Sequence, residues 1–117
     1  MKYVFIEYPK CSTCQKAKKW LEEHKIDFES RNIVIENPTK LEIQNWKHNL
    51  ELKKLFNTSG MLYREMSLKE KLDQMSEEEQ INLLASNGML VKRPIIVGDG
   101  VLLVGFKEKE WKEKLID

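Results

Sequence analysis

This sequence lacks long apolar runs and has almost no excess of charge of one sign. No apolar stretch approaches the ~20 residues that a membrane-spanning helix requires. The first apolar run, at 3–6, is followed at once by Glu7 and Pro9, which is not the pattern of a signal peptide. The 20 basic residues nearly balance the 19 acidic ones, so charge gives no reason to expect nucleic acid or a membrane as a direct partner. We therefore expect a single cytoplasmic domain of 117 residues.

Cysteine is also scarce, and the only two are Cys11 and Cys14. In a reducing cytoplasm a disulfide is usually transient, catalytic or sensory. A disulfide between these two cysteines would also close a very small loop and so add little stability. Two alternatives are a pair of ordinary buried thiols and a zinc site. A structural zinc site needs four ligands at characteristic spacing, and only His24 and His48, far apart, are left to complete the set. We therefore expect no metal and no bound cofactor.

The period of the apolar residues changes along the chain and predicts the order β-α-β, then several helices, then β-β-α. The predicted strands are 3–8, 27–33, 95–97 and 101–104, and the predicted flanking helices are 12–24 and 107–116. This order predicts an α/β fold with a thioredoxin-like core at about 1–36 and 91–117. A helical insertion at about 37–90 separates the two halves of that core.

Local signals predict where some of these elements begin and end. Three capping-box patterns predict helix starts within the insertion, at Thr39-x-x-Glu42, Ser67-x-x-Glu70 and Ser76-x-x-Glu79. The pair Asn87-Gly88 predicts a helix C-cap, and Gly98-Asp99-Gly100 predicts a three-residue hairpin loop. The three tryptophans are predicted to pack in the core and its rim rather than to serve as ligand platforms.

The position of the two cysteines predicts different roles for them. Cys11 begins a helix directly after a strand and a turn, where unpaired backbone N–H groups and the helix dipole favour a thiolate. Cys14 shares a helix face with Ala17 and Leu21, so it is expected to point inward while Cys11 faces the mouth of the site. Cys11 is therefore the predicted nucleophile, and Cys14 is placed to resolve an adduct on it as a disulfide.

Other residues are predicted to act around Cys11. In this topology the segment that opens the second β unit comes to the same end of the sheet, so Arg93 is expected to stabilise the thiolate or an anionic substrate. Lys10 would add a second positive charge, and Ser12 and Thr13 lie between the thiols. Pro94 would shape the site if its peptide bond were cis. An arginine before a strand is otherwise most often a solvated surface residue.

Residues 8–24, 31–33, 56–60 and 92–97 resemble the arsenate reductase (ArsC)/Spx family, and the resemblance covers nearly the whole chain. It implies the thioredoxin-like fold and, for Cys11, the role of the cysteine that attacks arsenate. The family's arsenate reductases hold the oxyanion with several arginines, of which only Arg93 is matched in this sequence. They also depend on an external thiol reductant, either glutathione with glutaredoxin or thioredoxin.

Two functions follow from the residues and the resemblance together. The first is a cytosolic thiol–disulfide oxidoreductase or thiol-dependent reductase that acts on a small oxyanion or a protein disulfide. The alternative is a redox-sensing transcriptional regulator of the Spx type, for which the resemblance implies the RNA polymerase alpha subunit as partner. A family member without activity that serves only as a binding module is a third possibility.

Overall fold

The computed structural model describes residues 3–116, which form two compact units. The first contains residues 3–32 and 93–116, and the second is Ile33–Lys92. The sequence placed the insertion at about 37–90, a few residues inside the second unit. Every helix within residues 3–116 is too short or too polar to span a lipid bilayer.

The strands and α-helices follow one another in this order: β1 (Tyr3–Glu7), α1 (Ser12–Glu23), β2 (Phe28–Asn32), α2 (Lys40–Trp46), α3 (Met61–Glu65), α4 (Leu68–Lys71), α5 (Glu77–Ser86), β3 (Ile95–Gly98), β4 (Val101–Val104) and α6 (Glu108–Leu115). Short 3-10 helices at Leu52–Leu55, Leu72–Gln74 and Gly88–Leu90 complete the second unit. The predicted strands and outer helices are confirmed to within one or two residues at each end.

The first unit is built on a four-stranded sheet in the order β2-β1-β3-β4. β1 pairs in parallel with β2, while β1 with β3 and β3 with β4 are antiparallel. A β-α-β unit followed by a β-hairpin and a helix, in this strand order, is the thioredoxin-like fold that the sequence predicted. The end of β1 and the start of α1 therefore lie beside the segment that leads into β3.

The core of the first unit forms where α1 and α6 cover one face of the central strands. Phe5 on β1 is fully buried and packs edge-to-face on Trp111, with 6.4 Å between ring centroids. Trp20 of α1 joins the same aromatic cluster. The Trp111 indole N–H donates to the carbonyl of Gly105 at 3.0 Å, so its polar atom is satisfied. The predicted core role of the tryptophans is confirmed, because Trp46 in the second unit is buried as well.

The hairpin between β3 and β4 is tighter than predicted. Gly98 pairs with Val101 in the ladder, so the loop contains two residues, Asp99 and Gly100, rather than three. Their φ angles are 48° and 76°. Positive φ at both central positions is what a type I′ turn needs, and an Asp-Gly pair tolerates it better than other residues.

In the second unit, two of the three predicted capping boxes are confirmed. The side chains of Thr39 and Ser76 accept hydrogen bonds from the backbone N–H of the third residue of α2 and of α5, respectively. That residue is a glutamate in both helices, and its carboxylate accepts a hydrogen bond from the backbone N–H of the capping residue. The helix start predicted at Ser67 is confirmed, because Ser67 is the N-cap of α4, but its capping box does not form: this residue has φ 53° and makes no side-chain cap bond. Its N–H donates to the carbonyl of Arg64, which makes Ser67 part of a left-handed turn between α3 and α4.

The helix end predicted at Asn87-Gly88 is confirmed, because Asn87 is the C-cap of α5, but it is not the left-handed glycine cap that this pair suggests. Asn87 is extended at φ −158°, and Gly88 opens a 3-10 helix instead of adopting the left-handed conformation. Glycine is needed here for a different reason. A Cβ on Gly88 would lie 2.1 Å from the carbonyl oxygen of Ile33 and 2.9 Å from Oδ1 of Asn37. The backbones approach too closely for any side chain.

Candidate functional site

The two thiols lie where β1 passes into α1. The connecting turn is tied to the helix by two hydrogen bonds, from the Cys11 N–H to the Tyr8 carbonyl at 2.9 Å and from Gln15 Nε2 to the Pro9 carbonyl at 2.8 Å. Cys11 is the N-cap of α1, with φ −85° and ψ 121°. This extended conformation turns its sulfur back over the first helical turn, where backbone N–H groups have no partner within the helix.

Cys11 is half-buried, and its sulfur accepts a hydrogen bond from the Cys14 N–H at 3.4 Å. Burial acts to raise the pKa of Cys11. The Cys14 N–H, the Cys14 thiol, the Arg93 charge and the Thr13 N–H act together in the opposite direction, and the net effect is a pKa below the ordinary value of a cysteine. The site therefore favours the thiolate of Cys11, which is the reactive form.

Cys14 is a fully buried free thiol. Burial is the main reason that its pKa is raised to about 12, and the neighbouring Cys11 adds to the increase. The Tyr8 N–H and Arg93 act against this increase but are too weak to offset it. At neutral pH, Cys14 is therefore a protonated donor beside the Cys11 sulfur, and the two residues are not joined by a disulfide. The predicted orientations, Cys14 inward and Cys11 toward the mouth, agree with these exposures.

Arg93 supplies the positive charge that acts on both sulfurs. Its guanidinium carbon lies 5.2 Å from the centre of the Tyr8 ring, in a cation–π arrangement. Its Nε and Nη1 atoms are buried and have no hydrogen-bond partner among residues 3–116. Buried donors without partners are rare in folded proteins, and a cationic pair of them suits an anion. The Arg93–Pro94 peptide bond is cis, and the Pro94 carbonyl accepts from the Gly105 N–H at 2.7 Å.

The remaining predicted site residues lie around the same turn. Lys10, Ser12 and Thr13 are all exposed, and Thr13 acts on Cys11 through its backbone N–H. The first unit thus brings together the two thiols, Arg93 and Pro94. Among residues 3–116, no group of three or more His, Cys, Asp or Glu side chains is arranged to hold a metal ion.

Two features of the site were missed by the sequence analysis. Tyr8 contributes its ring to Arg93, its carbonyl to the backbone N–H of Cys11 and its own N–H to the Cys14 thiol. Its place between a strand end and Pro9 was a usable signal, because that position fixes the turn before the first cysteine. The second feature is an ion pair between Glu7 and Lys18, with 3.1 Å between Oε2 and Nζ. Nothing in the sequence showed that this glutamate is buried.

The sheet topology and the thiol pair at a helix start define a protein of the thioredoxin-like class. The sequence profile of the ArsC family matches residues 6–114, and the chain belongs to that family. The uncharacterized protein YusI of Bacillus subtilis (strain 168) is 53% identical over 97% of this chain and 98% of its own length. The global transcriptional regulator Spx 1 of Oceanobacillus iheyensis is 34% identical over 87% of this chain and 78% of its own length.

Solved structures agree with this assignment. An ArsC family related protein from Bacteroides fragilis is 56% identical and superposes with a TM-score of 0.93, covering 98% of this chain and 99% of that protein. A possible arsenate reductase from Streptococcus mutans UA159 is 45% identical, with a TM-score of 0.86 over 94% of this chain and 97% of its own. The relatives therefore include both regulators and arsenate reductase-like proteins.

Proposed function

We propose that this protein is a thiol-dependent reductase in which Cys11 attacks the substrate and Cys14 resolves the adduct. One arrangement carries the proposal: Cys11 is the half-buried N-cap of α1, its sulfur accepts a hydrogen bond from the Cys14 N–H, and Cys14 is a fully buried thiol three residues on. The lowered pKa of Cys11 and the raised pKa of Cys14 agree with a nucleophile and a reserve thiol.

The reaction begins when the Cys11 thiolate attacks one sulfur of a substrate disulfide. A bond forms between that sulfur and Cys11, the substrate S–S bond breaks, and the other substrate sulfur leaves as a thiolate. Cys14 then loses its proton and attacks Cys11, which forms a Cys11–Cys14 disulfide and releases the second substrate thiol. Two electrons have passed to the substrate. An external thiol, glutathione with glutaredoxin or thioredoxin, returns the protein to the dithiol.

A disulfide suits this site better than a multiply charged oxyanion does. Such an oxyanion needs several cationic or N–H donors. Arg93 is the one arginine that matches the family's oxyanion-binding set, and it also serves the Cys11 thiolate. Arsenate reduction is therefore a weaker assignment than disulfide reduction, although it uses the same first step of attack by Cys11.

Reduction of a small aromatic disulfide and reduction of arsenate, each coupled to glutathione with glutaredoxin or to thioredoxin, test the proposal side by side. We expect turnover of the disulfide, complete loss of turnover in Cys11→Ser, and accumulation of a mixed disulfide on Cys11 in Cys14→Ser, detected by mass spectrometry. Turnover of arsenate above that of the disulfide would reverse the substrate assignment. An unreactive Cys11 in the wild type would end the proposal.

The second candidate is a redox-sensing regulator with the RNA polymerase alpha subunit as partner. Identity of 34% to a global transcriptional regulator supports it, and the same thiol pair would then be the sensor. Capture of the alpha subunit by the dithiol and by the oxidised protein separates the two candidates. Retention that depends on the redox state, and is lost in Cys11→Ser, would favour the regulator, whereas no retention in either state would exclude it.

A further inference from the structure

Arg93 acts on the two thiols without an acidic partner of its own. In the part of the chain that the structure describes, its guanidinium forms no ion pair with an aspartate or a glutamate, and two of its buried nitrogen atoms have no hydrogen-bond partner. A buried or half-buried arginine is usually tied to a carboxylate, because a charge removed from water costs free energy unless it is paired. A different kind of contact therefore holds this side chain in place.

That contact is the ring of Tyr8. The guanidinium carbon of Arg93 lies 5.2 Å from the ring centre, within the distance of ~6 Å at which an aromatic face attracts a cation. An aromatic face orients a guanidinium and packs against it, but it carries no negative charge that would cancel the positive one. Glu7, the acidic residue next to Tyr8 in the chain, binds Lys18 at 3.1 Å instead. Tyr8 thus fixes the position of Arg93 and leaves its charge available to the sulfurs.

The titratable and charged groups around Cys11 come from two elements and the turn between β1 and α1. Cys14 acts on it from α1, and Arg93 acts on it from the segment before β3. Lys10 precedes Cys11 in the turn and is exposed to solvent. Arg93 also acts on Cys14, in the direction that favours its thiolate. One cation therefore serves both sulfurs, and its position matters for both steps of the reaction.

We infer that Tyr8 is a positioning residue whose ring holds the Arg93 guanidinium where it acts first on the Cys11 thiolate and then on the Cys14 sulfur, an inference that rests on the proposed function. When Cys11 attacks a disulfide, its electron pair becomes the new S–S bond and the negative charge leaves on the substrate thiolate. Arg93 then has its full charge for the Cys14 sulfur as that thiol loses its proton. A carboxylate in place of the ring would cancel much of this charge at both steps.

The pH profile of Cys11 alkylation by iodoacetamide tests the inference. Tyr8→Leu removes the ring but keeps the backbone groups that bond to the Cys11 N–H and the Cys14 thiol. We expect alkylation at pH 6 to slow by about two- to fivefold and the profile to move to higher pH, because Arg93 turns toward solvent. Tyr8→Phe keeps the aromatic face and should stay within about 1.5-fold of the wild type. Tyr3→Leu, at the half-buried first position of β1, is the matched control and should change neither the rate nor the profile.

A double-mutant cycle shows whether Tyr8 acts through Arg93. In the Arg93→Met background, Tyr8→Leu should change the alkylation rate by less than about 1.5-fold, because the charge that the ring positions is gone. An equal slowing in both backgrounds would mean that the ring only supports the local structure, and this result would overturn the inference. A wild-type profile in Tyr8→Leu would overturn it as well.

Pentafluorophenylalanine in place of Tyr8 gives the same test in a variant that keeps an aromatic ring at this position. Fluorine withdraws electrons from the ring face, so the attraction for a cation is lost while the packing of Tyr8→Phe is largely kept. We expect the slower alkylation and the shifted profile of Tyr8→Leu, and a profile equal to that of Tyr8→Phe would count against the inference. A reactive Cys11 that is indifferent to these changes refutes the role of Tyr8 alone, whereas an unreactive Cys11 in the wild type refutes the proposed function and this inference with it.

Discussion

Alkylation of the two thiols by iodoacetamide, in the folded and the urea-unfolded protein, tests the assignment of nucleophile and reserve thiol directly. In the unfolded chain both cysteines are exposed and ordinary, so they should react alike. In the folded protein Cys11 is half-buried with a lowered pKa, whereas Cys14 is fully buried with a pKa of about 12. We expect rapid modification of Cys11 and almost none of Cys14.

The size of the effect on Cys14 follows from its ionisation. At pH 7 an ordinary thiol with a pKa of ~8.5 is ~3% thiolate, whereas a pKa of about 12 leaves only ~0.001%. Cys14 thus has roughly 3,000-fold less thiolate than an ordinary cysteine. A more basic thiolate is a better nucleophile, and a Brønsted slope of ~0.5 returns about 50-fold of this loss. While Cys11 is still unmodified, folding should therefore slow alkylation of Cys14 by about 60-fold through ionisation alone, and the rate is taken from molecules that carry no label on Cys11.

Burial adds to this protection, because the reagent must also reach a side chain with no exposed surface. The rates are best measured by quenching at intervals and counting modified peptides by mass spectrometry, with the unfolded protein as the internal reference. Raising the pH from 7 to 9 should accelerate the reaction of folded Cys14 by nearly tenfold per unit, since it stays far below its pKa. Alkylation of Cys14 in the folded protein within about fivefold of the unfolded rate would refute the separation of roles.

Three further predictions follow. Arg93→Met should slow alkylation of Cys11 at pH 6 by about three- to tenfold, because a charge that stabilises the thiolate is lost. Arg93→Lys keeps the charge and should react at nearly the wild-type rate. Equal alkylation rates in the two variants would contradict this prediction. Gly88→Ala should cost about 3 kcal/mol in urea unfolding, because the new Cβ meets the Ile33 carbonyl at 2.1 Å, and a cost below about 1 kcal/mol would show that the backbone yields. Ser76→Ala should cost about 1 kcal/mol of unfolding free energy in the same assay, because α5 loses its N-cap. Ser67→Gly should cost nothing, because glycine adopts the left-handed conformation at φ 53° without strain. The reverse order of the two costs would contradict the assignment of caps.

The sequence predicted the order and ends of the elements well, because each rests on a local periodicity. Its errors fall where residues outside the short pattern decide the local conformation. Gly88 is set by the approach of Ile33, which lies 55 positions earlier in the chain. Ser67 follows the same pattern as the two true capping boxes, but its N–H bonds to the Arg64 carbonyl of α3 and it adopts φ 53° instead of an extended N-cap conformation. A pattern of four residues carries no information about the element that precedes it.

Much of the candidate site was predictable for a similar reason. The spacing of Cys11 and Cys14 and the start of a helix are local, so their exposures follow from sequence. The pairing of Arg93 with Tyr8 and of Glu7 with Lys18 depends on which strands are neighbours and how α1 lies on β1. The sequence pattern does not distinguish Glu7 from any other charged residue at the end of a strand, because Glu7 becomes buried only when the sheet is folded.

The two thiols also regulate each other, and this gives the proposed reaction its order. Cys11 raises the pKa of Cys14 through its charge and through a hydrogen bond. Both effects require a free Cys11 thiolate, and both end when Cys11 becomes a neutral sulfur in a mixed disulfide. The pKa of Cys14 must then fall, because two of the causes that raise it have been removed while the Tyr8 N–H and Arg93 remain. Cys14 is thus hardest to ionise while Cys11 is free, and it becomes a better nucleophile only when there is an adduct to resolve.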